Sequence, residues 1–299
     1  MARIGYIAEP QIATAVYLAQ TMGKPLLIEG DAGVGKTEVA KVMASLLETD
    51  LIRLQCYEGL DVSTSLYEWN YQRQLLRIKM AEERGRSHDG QEDPSIAENP
   101  IFREDLIFSR ECLLERPLLR AITHPGPAPV LLIDEIDRAD DGFEAFLLEL
   151  LSDFQVTIPE LGTIAATQIP HVVLTSNATR EIGDALRRRC LYLYIEHPTL
   201  EKEVRIIKSR VPDIADRLAI QIAAFVQELR TRPLAKTPGA AETIDWASAL
   251  VTLHGDHLDA DSVRLTLGCI IKDRRDAEDL DGEAIAALLE HATAAGDAH

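Results

Sequence analysis

Cysteine, aromatic side chains and positive charge are all scarce in this 299-residue chain, and each scarcity argues against a class of function. The four cysteines, Cys56, Cys112, Cys190 and Cys269, are widely separated and form no CxxC pair. That pattern favours buried thiols in a reducing compartment over a disulfide framework or a metal- or sulfur-handling centre. Phe, Trp and Tyr make up 5% of the residues and are not interleaved with a basic stripe, the arrangement on which bases stack. Lys and Arg total 31 against 49 Asp and Glu, for a formal net charge of −18. Affinity for a phosphate backbone comes largely from cationic side chains displacing counterions, so nucleic acid is a disfavoured partner, although a local basic channel is compatible with the totals. No apolar stretch reaches the length of a membrane span, and "MARIGYIAEPQIATAVYLAQ" lacks a charged head followed by an uninterrupted apolar run. The chain reads as cytoplasmic.

What is present is an ordinary globular composition, 46% hydrophobic and 27% charged, in a chain long enough for about two domains. "PLLIEG" (25–30) reads as a buried strand, "KTEVAKVMASLLE" (36–48) as a helix and "LIRLQC" (51–56) as a second strand. "APVLLIDE" is a third strand, "HVVLTSN" (171–177) a fourth, and "RRRCLYLYI" leads through a fifth. Phe143, Phe146, Leu147, Leu150, Leu151 and Phe154 share one helix face. Such alternation predicts an α/β domain, over residues 1–197, with a parallel five-stranded sheet covered on both faces. The polar "RGRSHDGQEDPSIAENP" (84–100) reads as part of an exposed insertion at about 80–108, and "FQVTIPELGTIAATQIP" (154–170) as a hairpin turning at Gly162. After His197 the segments become helix-length and rich in Ala and Leu, with Thr199 placed as an N-cap and Glu201 and Glu203 at the positive end of the helix dipole. A smaller all-helical domain over residues 198–299 is expected.

"GDAGVGKT" (30–37) fits G-x-x-x-x-G-K-[ST] and lies where that pattern has chemical meaning, after a strand and opening a helix. The bare pattern arises by chance in on the order of one in a hundred chains of this length. The candidate nucleotide-binding stretch is Gly30, Asp31, Ala32, Gly33, Val34, Gly35, Lys36, Thr37 and Glu38. Its glycines let successive N–H groups turn toward phosphate oxygens at a helix N-terminus. Lys36 would reach the β- and γ-phosphates of ATP, and the Thr37 hydroxyl would ligate Mg²⁺.

"VLLIDEIDRA" (130–139) ends an interior strand in two adjacent acids. Ligands of a doubly wound sheet lie beyond the carboxyl ends of its strands, which would bring Asp134 and Glu135 beside the phosphates. Asp134 then serves the Mg²⁺ shell, and Glu135 polarises the attacking water. Asp140 and Asp141 suit a solvated turn. Asn177, at the end of the fourth strand, either orients that water or feels the γ-phosphate, or else forms a turn. Arg187, Arg188 and Arg189 form either a solvated face or a group that reaches the nucleotide of an adjacent subunit.

The ordered motifs "LIEGDAGVGKTEVAK", "DEIDRAD" with "FLLELLSD", "TSN" and "ALRRRC" resemble the AAA+ ATPases, and within them the MoxR branch, across residues 25–190. "RLQCYEGLDVSTSLYEWNYQRQLL" (53–76) resembles the CoxD-type subgroup, associated with maturation of molybdenum-containing hydroxylases. The resemblance implies a P-loop AAA+ core with a helical lid from residue 198, a homo-oligomeric ring that is commonly a hexamer, and ATP with Mg²⁺ between subunits. It also implies a partner carrying a von Willebrand factor A domain and a metalloenzyme client. By motif match Asn177 becomes the first sensor, and Arg188 and Arg189 the finger candidates, Arg189 first. The hairpin and the insertion would lie near the pore or ring face; a hairpin that merely covers an edge is the alternative. One departure stands out: where many AAA+ lids place a sensing Arg, "TPGAAETIDWASAL" (237–250) offers Glu242 and Thr243, with Arg232 and Lys236 nearby.

These features predict an ATP-hydrolysing chaperone-like remodeller. A nucleic-acid motor or loader on the same core is the first alternative, and salt-dependent DNA binding would reveal it. A P-loop phosphotransferase is the second; it would work as a monomer without an interfacial Arg.

Overall fold

The structure, a computed structural model, describes residues 6–85 and 107–297. The expected insertion lies mostly outside the described residues.

Strands β1 (Leu26–Gly30), β2 (Leu51–Gln55), β5 (Val130–Asp134), β8 (His171–Ser176) and β9 (Leu191–Ile195) form a five-stranded parallel sheet in the order β2-β5-β8-β1-β9. The sequence distinguishes inner from edge strands. β1 and β5 are buried at every position, as strands covered on both faces must be, and their apolar runs do not alternate. The edge strand β2 alternates instead: Ile52 and Leu54 are buried while Arg53 and Gln55 point outward. In β9 the same alternation leaves Tyr192 and Tyr194 exposed.

Helix Asp141–Asp153 begins where the Asp140 carboxylate accepts the Phe143 N–H at 2.8 Å, and buries Phe143, Leu147, Leu150 and Leu151. It stops at Phe154, whose φ of 47° is left-handed. The hairpin follows as β6 (Gln155–Ile158) and β7 (Gly162–Ala165). Its tip is 159–161; Gly162, with φ of 76°, opens the returning strand rather than forming the turn itself. β3 (Tyr67–Trp69) and β4 (Leu113–Glu115) make a small antiparallel pair that periodicity did not disclose, because three residues per strand are too few to show a period.

After His197 the described residues are helical. Thr199 caps helix Leu200–Arg210 by accepting the Lys202 N–H at 3.4 Å. Helices Asp216–Arg230, Ala240–Thr252, Ala260–Thr266, Arg274–Asp279 and Gly282–Asp297 follow. Phe225 and Trp246, with ring centroids 5.1 Å apart, centre their core, and the Trp246 indole N–H donates to Thr266 Oγ at 2.7 Å. Glu203 and Arg230 are buried among these helices as a two-bonded ion pair, both contacts 2.7 Å, and the Thr243 hydroxyl donates to Glu203 at 2.9 Å.

The chain divides into two compact units, one of Met1–Ala15, Ile28–Val42 and Tyr192–His299, the other of Val16–Leu27 and Met43–Leu191. The first has its core among the C-terminal helices; the second has its core around β2, β5 and helix Asp141–Asp153. All four cysteines are free; Cys56 and Cys112 are buried, and burial pushes the Cys56 and Cys190 thiols up to about 12. Among the described residues no helix is long and apolar enough to cross a membrane.

Candidate functional site

In the first unit, Gly30–Thr37 turns between β1 and helix Lys36–Leu46. Gly33 and Gly35 have φ of 79° and 95°, a region that side-chain-bearing residues adopt only under strain. Gly33 is doubly required, because a Cβ there would lie 2.8 Å from the Cα of Gly239. Two glycines thus let the loop meet the start of helix Ala240–Thr252, and the Ala240 N–H donates to the Gly33 carbonyl at 3.0 Å. Lys36 is 7% exposed, and its ammonium donates to the carbonyls of Gly30 at 2.8 Å and Asp31 at 2.7 Å. A buried ammonium folded over a glycine loop at a helix N-terminus is the donor set that a polyphosphate takes.

Glu38, in the first turn of that helix, pairs with Lys41 at 3.1 Å and Arg210 at 2.9 Å. Partial burial pushes its carboxyl up, but these two cations outweigh it and hold it below its ordinary value. His197 Nε2 stands 3.3 Å from Asp31 without hydrogen-bond geometry. Burial, with the Arg230 charge, pushes its imidazole below the ordinary value.

Helix Ala240–Thr252 opens without an Arg. Glu242 turns back to accept the Gly239 N–H at 3.0 Å and so caps its own helix. Thr243 is fully buried on Glu203, and Arg232 donates to the Ala284 carbonyl at 3.4 Å. The backbone N–H of Lys236 donates to Asp276 at 3.0 Å.

In the second unit, Asp134 closes β5 at 3% exposure. The Thr175 hydroxyl donates to its Oδ1, and Thr175 Oγ accepts the Glu135 N–H at 3.0 Å. Arg53 approaches the other oxygen, Oδ2, with Nε at 3.0 Å and Nη2 at 2.6 Å. Glu135 sits at φ 56° and ψ 51°, a left-handed conformation rare for a residue with a side chain, and its carboxylate meets Arg138 Nε at 2.6 Å.

Asn177 follows β8 on a loop that Asp137 holds. That carboxylate, 4% exposed, accepts the Asn177 N–H at 3.2 Å, the Thr179 N–H at 3.1 Å and the Thr179 hydroxyl at 2.6 Å. Arg188 is 82% exposed on helix Asp184–Arg189, with Asp184 3.8 Å away. Arg189 is also exposed, but its guanidinium donates to the Leu148 carbonyl.

The structure therefore joins Asp134 and Glu135 through Thr175, and separately fastens the Asn177 loop through Asp137. Arg53, Thr175, Asp137 and Gly239 escaped sequence reasoning. Their only local signals were the outward phase of Arg53 on an alternating strand and the charge of Asp137 within "DEIDRAD". Among the described residues no group of three or more His, Cys, Asp or Glu could hold a metal ion. Taken separately, the Thr37 hydroxyl in the first unit and the Asp134 carboxylate in the second are hard oxygen donors of the kind Mg²⁺ takes, commonly one or two together with substrate phosphates. That Asp134 already draws a guanidinium shows a buried carboxylate in need of a cation.

Residues 26–195 match the model of the ATPase family associated with various cellular activities (AAA), more than half of the chain. Gas vesicle ATPase GvpN of Haloferax mediterranei is 23% identical over 261 residues, covering 84% of this chain and 69% of that protein. An uncharacterized protein of Staphylococcus aureus is 24% identical over 217 residues, 70% of each. Among solved structures, a mutant RuvB of Thermotoga maritima superposes with a TM-score of 0.51 at 20% identity, covering 91% of this chain and 72% of that one, a likeness of fold alone. With the phosphate loop, the acid-ended strand β5 and strand β8 all inside the matched span, the chain belongs to the AAA family of ATPases.

Proposed function

We propose that this AAA ATPase is a MoxR-type, CoxD-like remodeller that uses Mg²⁺-dependent ATP hydrolysis to assist maturation of a metalloenzyme. In this reading Lys36 contacts the β- and γ-phosphates, Thr37 ligates Mg²⁺, Asp134 holds its hydration shell and Glu135 activates the water. Residues 30–38 cradle the nucleotide, and Asn177 senses its γ-phosphate. Arg188 or Arg189 completes the site of a neighbouring subunit in a homo-oligomeric ring. Residues 1–197 act as the nucleotide-binding domain and 198–299 as its lid, in the cytoplasm, with a von Willebrand factor A domain protein as partner. The similarity to gas vesicle ATPases supports the hydrolytic part of this reading.

The observation that carries it is the end of β5. A buried Asp134, braced on one oxygen by Thr175, is followed by a Glu135 held in a strained backbone conformation. Strain of this kind persists where the surroundings over-determine it and clusters at reactive sites. The test uses two variants. Lys36→Ala loses nucleotide affinity at least roughly tenfold, as removal of a charged hydrogen-bonding group implies. Glu135→Gln retains ATP but turns it over at least roughly a hundredfold more slowly. Parent-rate hydrolysis by Glu135→Gln would remove Glu135 from its role. Proteins retained by that variant in ATP identify the client, and a metalloenzyme or its helper among them is the expected finding.

A further inference from the structure

The acid assigned to magnesium already carries a cation. Oδ2 of Asp134 accepts both Nε and Nη2 of Arg53, while Oδ1 accepts the Thr175 hydroxyl. An oxygen that receives two guanidinium hydrogen bonds leaves little room for a hydrated dication, and the two positive charges repel. Three features suit a seat that can be vacated. The Arg53 side chain is 53% exposed against 4% for Asp134, so withdrawing the guanidinium desolvates little. Gln55, which lies directly opposite Asp134 in the β2–β5 register, offers its amide oxygen to Nη2 at 2.5 Å, a second resting place on the same strand. Thr175 grips the other carboxylate oxygen, so Asp134 keeps its aim when Arg53 leaves.

We propose that Arg53 is a resident counter-ion that occupies Asp134 until Mg²⁺ displaces it. It is a positioning residue: it holds the buried carboxylate in place in the metal-free protein, and it sets the Mg²⁺ concentration at which the nucleotide complex forms. The inference rests on the reading of Asp134 as the metal-side acid.

The test uses the full chain and two readouts other than turnover: thermal stability without nucleotide or Mg²⁺, and the Mg²⁺ half-saturation of binding of a fluorescent ATP analogue. Arg53→Gln is expected to lower the melting temperature by a few degrees and to lower the Mg²⁺ half-saturation by roughly three- to tenfold, with analogue binding in EDTA unchanged. Arg53→Lys keeps the charge but lacks the fork, and is expected to fall between the two. A half-saturation unchanged or raised in Arg53→Gln overturns the proposal, and so does Arg53→Lys behaving as the parent, which would leave only a long-range field. Asp134→Asn separates the two ideas. If it raises the half-saturation while Arg53→Gln does not shift it, displacement alone fails. If Asp134→Asn leaves the half-saturation at the parent value, the assignment of Asp134 falls as well.

Discussion

Asp137 looks like one more charge in an acidic stretch, yet it is the side chain that fastens the Asn177 loop. Its carboxylate receives two backbone N–H groups and the Thr179 hydroxyl. Asp137→Ala removes three part-buried hydrogen bonds to a carboxylate and is expected to cost about 2–3 kcal/mol in denaturant unfolding. If Asn177 works as proposed, ATP turnover falls much more than nucleotide affinity, which titration alongside steady-state kinetics would separate. The residues proposed to contact nucleotide were legible because they are contiguous or adjacent, as in "GDAGVGKT" and "DE". The residues that hold them were not, since Asp137 meets Thr179 across 42 positions and Arg53 meets Asp134 across 81.

At the scale of elements, the glycine loop and helix Ala240–Thr252 depend on each other through two glycines. Gly33→Ala introduces a Cβ against Gly239 as well as left-handed strain, whereas Gly35→Ala meets only the strain, with open space around it. Gly33→Ala is therefore expected to be the more destabilising, by about 1–3 kcal/mol beyond Gly35→Ala, and differential scanning of both variants checks the order. The C-terminal helices carry a second dependence. Glu203→Gln leaves Arg230 buried without its counter-charge, and a loss of about 3–5 kcal/mol is expected in urea unfolding. Strand assignment from sequence succeeded for the five strands of the main sheet, where burial dictates either continuous or alternating apolar character. It failed for β3 and β4, whose place is set by their pairing with each other.

For the whole molecule, the proposed ring turns on the arginines of helix Asp184–Arg189. Arg189→Ala removes a hydrogen bond to Leu148 and is expected to cost about 1 kcal/mol; Arg188→Ala, whose partner Asp184 is exposed and 3.8 Å distant, is expected to be neutral in stability. In a ring, specific ATPase activity rises with protein concentration, and the variant that removes the true finger loses about a thousandfold in turnover while still binding ATP. Activity independent of concentration, with both variants active, would point to a monomeric phosphotransferase. Amino-acid order alone was enough to reveal the α/β core, the helical C-terminal region, the glycine loop and the acid-ended strand, because hydrophobic period and contiguous motifs are local properties of a chain. Folding was needed to seat Arg53 on Asp134, bind Asn177 to Asp137 and press Gly239 on Gly33. Those contacts join residues tens to hundreds of positions apart, and only packing and the satisfaction of buried polar groups bring them together.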